Sequence, residues 1–342
     1  MKKIYYITAV FATLFLVGCG DGIDLPGVNV ETDLNKIPLP DNNVNLEQVE
    51  LKPSTEPMLH EGLHTEEDFQ RIRDKKAAGE EPWISAYQLL VESQFSQKTA
   101  DTYPTEWIKR GVSGDENYMN AARGATIAYQ QALRWKIEQD DEYAAKAVEN
   151  LNKWVQTCVG VTGNTNLSLA AGLYGYEFAI AGELLRDYGG WDRADFAAFQ
   201  NWLLKVFYPA NDDFLKRHHD TNALHYWANW CLCNIAAKMA IGIVTDRRDI
   251  YNEGIAHLQT GDTNGRLRRA IYHDYAPDYN FAQWQESGRD QGHTLMCVGL
   301  MGIICQLAWS QGDDFFAYDD NLFLRACEYA ACCNYTNETV PY

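Results

Sequence analysis

The sequence predicts an all-α fold, an incomplete (α/α) toroid or barrel built from antiparallel helical hairpins. Apolar residues recur at spacings of three and four in about ten segments, and short breaks rich in Gly, Pro, Asp and Asn separate these segments. Helices joined by short connections pack as antiparallel pairs. A solenoid would show a repeat of fixed period, and the chain shows none. A ring of hairpins needs no strict repeat and places a cleft at one end, formed by the loops between helices.

The helical segments follow one another from residue 65 to the end of the chain. The first begins at Thr65, a capping hydroxyl that is followed by Glu66, Glu67 and Asp68 in the first turn. The segment around residue 175 is rich in small and aromatic residues, which suits an inner helix of the ring. The further segments are residues 82–93, 118–139, 142–158, 168–188, 193–208, 223–245, 247–260, 292–311 and 321–336.

Composition excludes some functions. The chain has 342 residues, a formal net charge of −18 and 46% hydrophobic residues, enough for a sizeable core. An acidic protein is a poor partner for nucleic acid, and an anionic substrate would need a local basic site. Most of the cysteines after Cys19 lie in apolar helical patterns, and no CxxC pair occurs. They are predicted to be small buried side chains, and we expect neither a metal site nor a cofactor.

The N-terminus predicts export. Lys2 and Lys3 precede an apolar run at residues 4–17, and "LVGC" resembles a bacterial lipobox ending at Cys19. Residues 1–19 are therefore predicted to be a lipoprotein signal peptide, with Cys19 lipidated and the protein anchored to a bacterial membrane, on the periplasmic side or at the cell surface. The alternative is a chance cysteine after an ordinary cleaved signal peptide. Residues 20–57 predict a flexible tether, and residues 58–342 the folded domain.

Two polar stretches lie at predicted helix starts. In "TGNTNLSLAAG", Asn166 is either a helix cap or a substrate contact. In "RHHDTNALHYWANW", Asn222 and His225 are three residues apart and would share a helix face. The alternative for this stretch is an interfacial aromatic helix, in which Asn222 or Thr221 is the cap. His219 remains a rival to His225.

The third polar stretch, residues 266–293, is the most basic window outside the N-terminus. It reads "RLRRAIYHDYAPDYNFAQWQESGRDQGH" and combines three arginines with several tyrosines and histidines. Such loops occur at sites that bind anions and move protons, although a solvated loop with salt bridges is the simpler alternative.

Together these side chains suit β-elimination on a uronic-acid polymer. The substrate carboxylate must be neutralised, a base must remove the C5 proton, and an acid must protonate the leaving oxygen. Arg, Asn, His and Tyr supply these roles without a metal, and Trp and Tyr can stack on sugar rings.

Two alternative functions remain open from the residues alone. A glycoside hydrolase would use two carboxylates about 5–10 Å apart. Candidate carboxylates are Asp220, Asp274, Asp278, Glu286 and Asp290. A non-catalytic, surface-tethered glycan-binding protein would bind an acidic oligosaccharide and leave it uncut.

Three blocks, "NALHYWANW", "RRAIYHDYA" and "QWQESGRDQGHT…GLMGIICQLAWSQGDD", resemble the alginate-lyase superfamily of (α/α)-toroid polysaccharide lyases. The resemblance runs from about residue 58 to the end, and residues 283–314 are its most specific part. It implies a lyase acting on an alginate-like polyuronate. Relatives are expected to continue beyond Tyr342, so a truncated and a complete C-terminus are both open alternatives.

The resemblance implies four catalytic residues. Tyr275 would be the acid, and also the base in a syn elimination. His225 would be the neutraliser, or the base in an anti elimination. Arg269 would hold the carboxylate or lower the pKa of Tyr275, with Asn222 nearby.

Several assignments stay open, because Asn222 precedes His225 by three residues whereas the family commonly has the two adjacent. Tyr279 is a rival to Tyr275. The candidate neutralisers are Asn222, Asn166, Gln291 and Glu286.

Further substrate contacts are expected near the start of the helix at His293. Arg289, Gln291 and His293 are candidates for binding the substrate carboxylate or for supporting groups that do. Trp227 and Trp284 are candidate sugar platforms, with a core position as the alternative for Trp284.

Overall fold

The computed structural model describes residues 55–335 and 340–341. The predicted signal peptide, Cys19 and residues 20–54 of the tether lie outside the described residues.

Within the described residues the chain is mainly helical, with short strands. The helices are α1 Glu66–Ala77, α2 Trp83–Glu92, α3 Tyr118–Glu138, α4 Asp141–Thr157, α5 Leu167–Leu184, α6 Arg193–Val206, α7 Tyr208–Arg217, α8 Ala228–Val244, α9 Arg248–Thr260, α10 Leu267–Ala270, α11 Gln291–Ser310 and α12 Tyr318–Tyr335. The strands are β1 Trp107–Arg110, β2 Gly160–Gly163, β3 Ile271–Asp274 and β4 Ala282–Trp284. β1 pairs with β2 in parallel and β3 with β4 antiparallel.

The helices form two layers. The inner helices α3, α5, α8 and α11 pack in sequence, each on the next, and α4, α9 and α12 each pack on the inner helix that precedes them. Almost every residue of α5 and α8 is buried, because these helices are covered on all sides. This arrangement confirms the predicted incomplete (α/α) toroid.

Local capping interactions set two helix starts, of which the one at Thr65 was predicted. Thr65 and Asp68 form a reciprocal capping box at the start of α1. Oδ1 of Asp290 accepts the backbone N–H of His293 at 2.8 Å and caps α11. The polar segment before this inner helix therefore ends where the sequence places it.

The structure corrects three predictions about elements. The helix predicted from residue 223 begins only at Ala228, because residues 221–227 form turns. Helix α7 was not predicted: Pro209 suits its first turn, and Phe214 and Leu215 bury its inner face. The strands have three or four residues each, too few for an alternating pattern to appear in the sequence.

The cysteine prediction holds in the core. Five of the thiols are buried, and all eight cysteines among the described residues are in the reduced, thiol form. The five are Cys158, Cys231, Cys233, Cys297 and Cys305. Near the C-terminus the prediction fails, because Cys327 and Cys332 are partly buried and Cys333 is exposed.

Candidate active site

A strained turn leads into the loop that carries His225. His218, His219 and Asp220 follow α7 with φ values of 47°, 52° and 60°. The left-handed region is unfavourable for residues other than glycine, so the surrounding structure must hold all three in place. The backbone N–H and the hydroxyl of Thr221 both bond to the carbonyl of His218, at 3.1 and 2.6 Å, and close the turn.

The two rival histidines differ in their partners. Nε2 of His219 lies 3.0 Å from Oγ of Ser168, and burial is the main cause that lowers the pKa of His219. The partly buried His225 packs edge-on to Tyr226, with ring centroids 4.9 Å apart. Within residues 55–335 and 340–341, the ring nitrogens of His225 make no hydrogen bond. His225 is therefore the histidine whose nitrogens are available to a substrate.

Asn264 fixes the backbone on both sides of His225 by hydrogen bonds. Its buried Nδ2 donates to the carbonyls of Leu224 at 3.1 Å and Tyr226 at 2.8 Å. Asn222 is exposed, and its Oδ1 accepts the N–H of Leu224 at 2.8 Å. Asn222 thus shapes a turn and does not share a helix face with His225, which corrects the helical spacing argument.

Asn166 lies two residues before Ser168, which contacts His219. It occupies the residue before α5, is partly buried, and its N–H bonds to Oδ1 of Asn164 at 2.9 Å. Gly111, with φ of +79°, leaves room for the Asn164 side chain, since a Cβ there would lie 1.8 Å from Oδ1. Ser168 and Asn166 belong to the same polar stretch at the start of α5. The contact between Ser168 and His219 joins this stretch to the one that carries His225.

The β3–β4 hairpin carries Tyr275. Asp274 ends β3 and binds the guanidinium of Arg325, with 3.0 Å between Oδ2 and Nη2, and that of Arg268 at 3.3 Å. Burial would raise the pKa of Asp274, but the hydrogen bonds to Arg325 and the charge of Arg268 hold it below its ordinary value. These ion pairs fix the strand just before Tyr275.

The Tyr275 ring is held on three sides. Its hydroxyl donates to Oε1 of Gln283 at 2.7 Å. Its face stacks on Tyr329 at 5.9 Å and 15°, and its edge meets His273 at 4.4 Å and 74°. The rival Tyr279 is 52% exposed and has no comparable support for its ring in the described residues. The hairpin therefore holds the Tyr275 ring in one position, whereas the Tyr279 ring is left exposed.

Arg269 is half-buried and carries a charge without a carboxylate partner. Its guanidinium donates to the carbonyl of Asp262, and it forms no ion pair within the described residues. Burial and the nearby charge of Arg266 lower the pKa of Arg269, and the charge of Asp262 offsets them only in part. Arg268, in contrast, binds Asp274 and Asp319. In so acidic a chain, an arginine without an ion pair is suited to an anionic ligand.

The turn Gln285–Gly288 caps α8 from a distant part of the chain. Oε1 of Gln285 accepts the N–H of Ala228 at 2.8 Å, and Oε1 of Glu286 accepts the N–H of Asn229 at 3.4 Å. Glu286 is fully buried, and burial raises the pKa of its carboxyl against the charge of Arg289. The prediction that Glu286 contacts substrate is therefore wrong: its carboxylate caps a core helix.

The start of α11 brings a second group of predicted residues together. The guanidinium of Arg289, an exposed residue, lies 5.4 Å from the ring centroid of Trp227, itself partly exposed. Nδ1 of His293 lies 2.6 Å from Oδ2 of Asp290, and Gln291 is exposed at the first residue of the helix. Trp227, Arg289, Gln291 and His293 thus remain candidate substrate contacts.

Trp284 is a core residue. It has no exposed surface, its indole N–H donates to the carbonyl of Ala326 at 3.0 Å, and its ring packs edge-on to Phe323. A ring enclosed on both faces cannot stack on a sugar, so the prediction of a platform at Trp284 is wrong.

The carboxylates considered for a hydrolase are committed to other roles or lie in the open. Asp274 is held by two arginines, Asp290 caps α11, and Asp220 pairs with Arg217. Glu286 is buried, and Asp278 is exposed.

Three residues of the site were not predicted from the sequence. Gln283, Asn264 and Tyr329 are all buried and all support Tyr275 or the His225 loop. A polar Gln between the apolar Ala282 and Trp284 was the one local signal; Asn264 and Tyr329 stand in no motif.

Comparisons with known proteins show the family and the fold. The family model described as alginate lyase matches residues 72–338. The fold is similar to the crystal structure of alginate lyase A1-III from Sphingomonas species A1, with a TM-score of 0.56 and 14% identity over 81% of this chain and 80% of that one. It is also similar to an alginate lyase from Bacteroides ovatus, with a TM-score of 0.56 and 15% identity over 79% of this chain and 82% of that one. A third similar structure is a tyrosine-to-phenylalanine variant of A1-III complexed with tetrasaccharide. Its TM-score is 0.58, with 14% sequence identity over 81% of this chain and 79% of that one.

No sequence among the curated proteins matches the chain significantly. The family model nevertheless covers most of the chain. The chain therefore belongs to the alginate lyase family and is a polysaccharide lyase.

Proposed function

We propose that this lyase cleaves a uronic-acid polymer, alginate or a close relative, by a β-elimination that requires no metal. The observation that carries the proposal is the support of Tyr275, whose hydroxyl, face and edge are each held by a different side chain. Pre-organisation of an acid–base group in this way is what proton transfer at a fixed substrate position needs. Family membership favours the lyase over a hydrolase or a non-catalytic glycan-binding protein.

The elimination removes the proton at C5 of a uronate, and the electron pair left behind forms the C4–C5 double bond as the C4–O bond breaks. In a syn elimination, Tyr275 as a phenolate takes the proton and returns it to the leaving oxygen. In an anti elimination, His225 takes the proton from the opposite face, and Tyr275 donates its own to the leaving oxygen. The unengaged ring nitrogens of His225 support its role as this base or as a neutralising donor.

The substrate carboxylate is assigned to Arg269. Its half-buried charge lacks an ion pair in the described part of the chain, so a uronate would supply the missing partner. Asn222, Asn166 and Gln291 remain candidate neutralisers, and Trp227 with Arg289 is suited to a neighbouring sugar. A related lyase variant has been crystallised with a tetrasaccharide, which supports an oligosaccharide substrate.

The test compares Tyr275→Phe with Tyr279→Phe on purified polyuronates, following the ultraviolet absorbance of the unsaturated product. Tyr275→Phe should lower kcat by about 1,000-fold or more, since it removes the group that transfers the proton. Tyr279→Phe is the matched control and should remain active. Retained activity in Tyr275→Phe, with an unchanged fold by circular dichroism, contradicts the proposal.

We also propose that the mature protein is a lipoprotein anchored through Cys19. The support is the charged start, the apolar run and the lipobox in the sequence. Cys19→Ala should abolish labelling by a fatty-acid analogue and move the protein out of the membrane fraction. Unchanged labelling contradicts the proposed anchor.

A further inference from the structure

Gln283 stands at the centre of a short buried strand. Its neighbours Ala282 and Trp284 are fully buried, and Gln283 itself is 4% exposed. Across the hairpin it pairs with His273. Burying a carboxamide is costly unless its polar atoms are hydrogen-bonded, so each atom of this side chain calls for a partner.

The two ends of the Gln283 amide differ. Oε1 accepts the hydroxyl of Tyr275 at 2.7 Å. Nε2, which has two hydrogens to donate, makes no hydrogen bond to any residue between 55 and 335 or at 340–341. The resting site thus contains an uncommitted donor directly beside the acid–base hydroxyl.

The amide geometry matches the chemistry of the substrate. Oxygen and nitrogen share one carbon, so they lie only about 2.2 Å apart. While Oε1 holds Tyr275, the hydrogens of Nε2 therefore lie next to the place where Tyr275 acts. In a uronate the carboxylate is bonded to C5, the carbon that loses its proton. A hydrogen-bond donor to the carboxylate must accordingly lie beside the acid–base group that acts at C5 and the leaving oxygen.

We propose that Gln283 is a further catalytic residue of this lyase, one that donates from Nε2 to the uronate carboxylate and whose Oε1 positions the Tyr275 hydroxyl until its proton turns to the leaving oxygen. The hydrogen bond strengthens as charge moves from C5 onto the carboxylate, so it favours the transition state over the bound substrate. Gln283 itself gains and loses no proton: the C5 proton goes to the base, and the leaving oxygen takes its proton from Tyr275. This inference rests on the proposed function, in which Tyr275 is the acid–base residue.

The experiment measures kcat/KM against pH for Gln283→Glu and Gln283→Met. Gln283→Glu keeps size and shape but, when ionised, offers no donor and repels the substrate carboxylate. Both variants should lose about 100-fold near neutral pH. A protonated carboxyl again has one donor and one acceptor, so the loss in Gln283→Glu, relative to wild type at each pH, should shrink as the pH falls. The loss in Gln283→Met should be the same at every pH.

Gln285→Glu is the matched control. It adds the same charge two residues away, and its carboxylate still accepts the N–H of Ala228 at the positive end of α8. It should keep most of the wild-type kcat/KM. Near-wild-type activity in Gln283→Met, or an equal loss in both Gln283 variants at every pH, overturns the proposal, because a purely structural role gives no pH signature.

If Gln283→Glu does not fold, a binding measurement tests the proposal instead. In the Tyr275→Phe background, adding Gln283→Met should weaken binding of an oligouronate about tenfold by calorimetry, and leave binding of the carboxyl-reduced oligosaccharide unchanged. Equal affinities for the oligouronate overturn the proposal. The two proposals fail separately: full activity of Tyr275→Phe refutes the proposed function, whatever the Gln283 variants show.

Discussion

Nε2 of His219 lies 3.0 Å from Oγ of Ser168, and this contact separates two histidines that are six residues apart. Ser168 is 1% exposed at the start of inner helix α5, so it ties the strained turn of His219 to the core. His225 lies past the turn, with its ring nitrogens unengaged by the described residues. We therefore expect His219 to contribute to stability and His225 to act on the substrate.

Replacing each histidine by alanine should therefore give opposite results. His225→Ala should lower kcat by about 100-fold or more, since it removes a proton-transferring or neutralising group, with little change in Tm. His219→Ala should destabilise the protein by about 1–3 kcal/mol, because the buried Ser168 hydroxyl loses its partner. Steady-state kinetics and thermal unfolding of both variants check this. Loss of activity in His219→Ala alone would reverse the assignment.

Arg269 and Arg268 form a second pair of matched tests. Arg269→Met should lower kcat/KM by about 100-fold, yet leave Tm unchanged or higher, because it removes a half-buried charge without an ion pair. Arg268→Met should lower Tm, because it breaks the ion pairs with Asp274 and Asp319. Calorimetry and product absorbance measure both effects. A lowered Tm together with full activity in Arg269→Met would remove Arg269 from the site.

Glu286 tests whether the cap on α8 matters for stability. Glu286→Gln keeps the oxygen that accepts the N–H of Asn229, so it should fold and remain active. Glu286→Ala removes the cap and should cost about 2 kcal/mol in the free energy of unfolding, measured by urea denaturation. Inactive but stable Glu286→Gln would contradict the structural role and restore Glu286 as a substrate contact.

Glu177, on inner helix α5, should make stability depend on pH. Burial raises the pKa of its carboxyl from 4.5 to about 8, and its buried Oε2 has no hydrogen-bond partner among the described residues. In the unfolded chain this carboxyl ionises near pH 4.5, whereas the folded protein keeps the proton until about pH 8. The unfolded state therefore binds fewer protons in this window, and stability falls as the pH rises through it.

Glu177→Gln removes the ionisation and should flatten this dependence. The variant should have a higher Tm than wild type at pH 8, with the difference shrinking towards pH 4.5. Differential scanning calorimetry at a series of pH values measures it. An equal Tm difference at both ends of the range would show that Glu177 is already ionised in the folded protein.

The sequence by itself determined the helical class, the helix start at Thr65 and the composition of the polar loops. These features depend on local interactions: periodic apolar faces and caps act within a few residues, so they can be read along the chain. It also proposed Tyr275 and His225 as the acid–base candidates.

The tertiary structure decided which polar groups are free to act. Trp284 and Glu286 belong to the most polar window of the sequence, yet both are fully enclosed, because β4 and the turn after it pack against α12 and α8. Gln283, Asn264 and Tyr329 gained their roles from partners 8 to 54 residues away in the chain. Burial and partner choice arise only when distant segments meet, so no local pattern could show that Gln283 holds Tyr275 and Glu286 holds a helix.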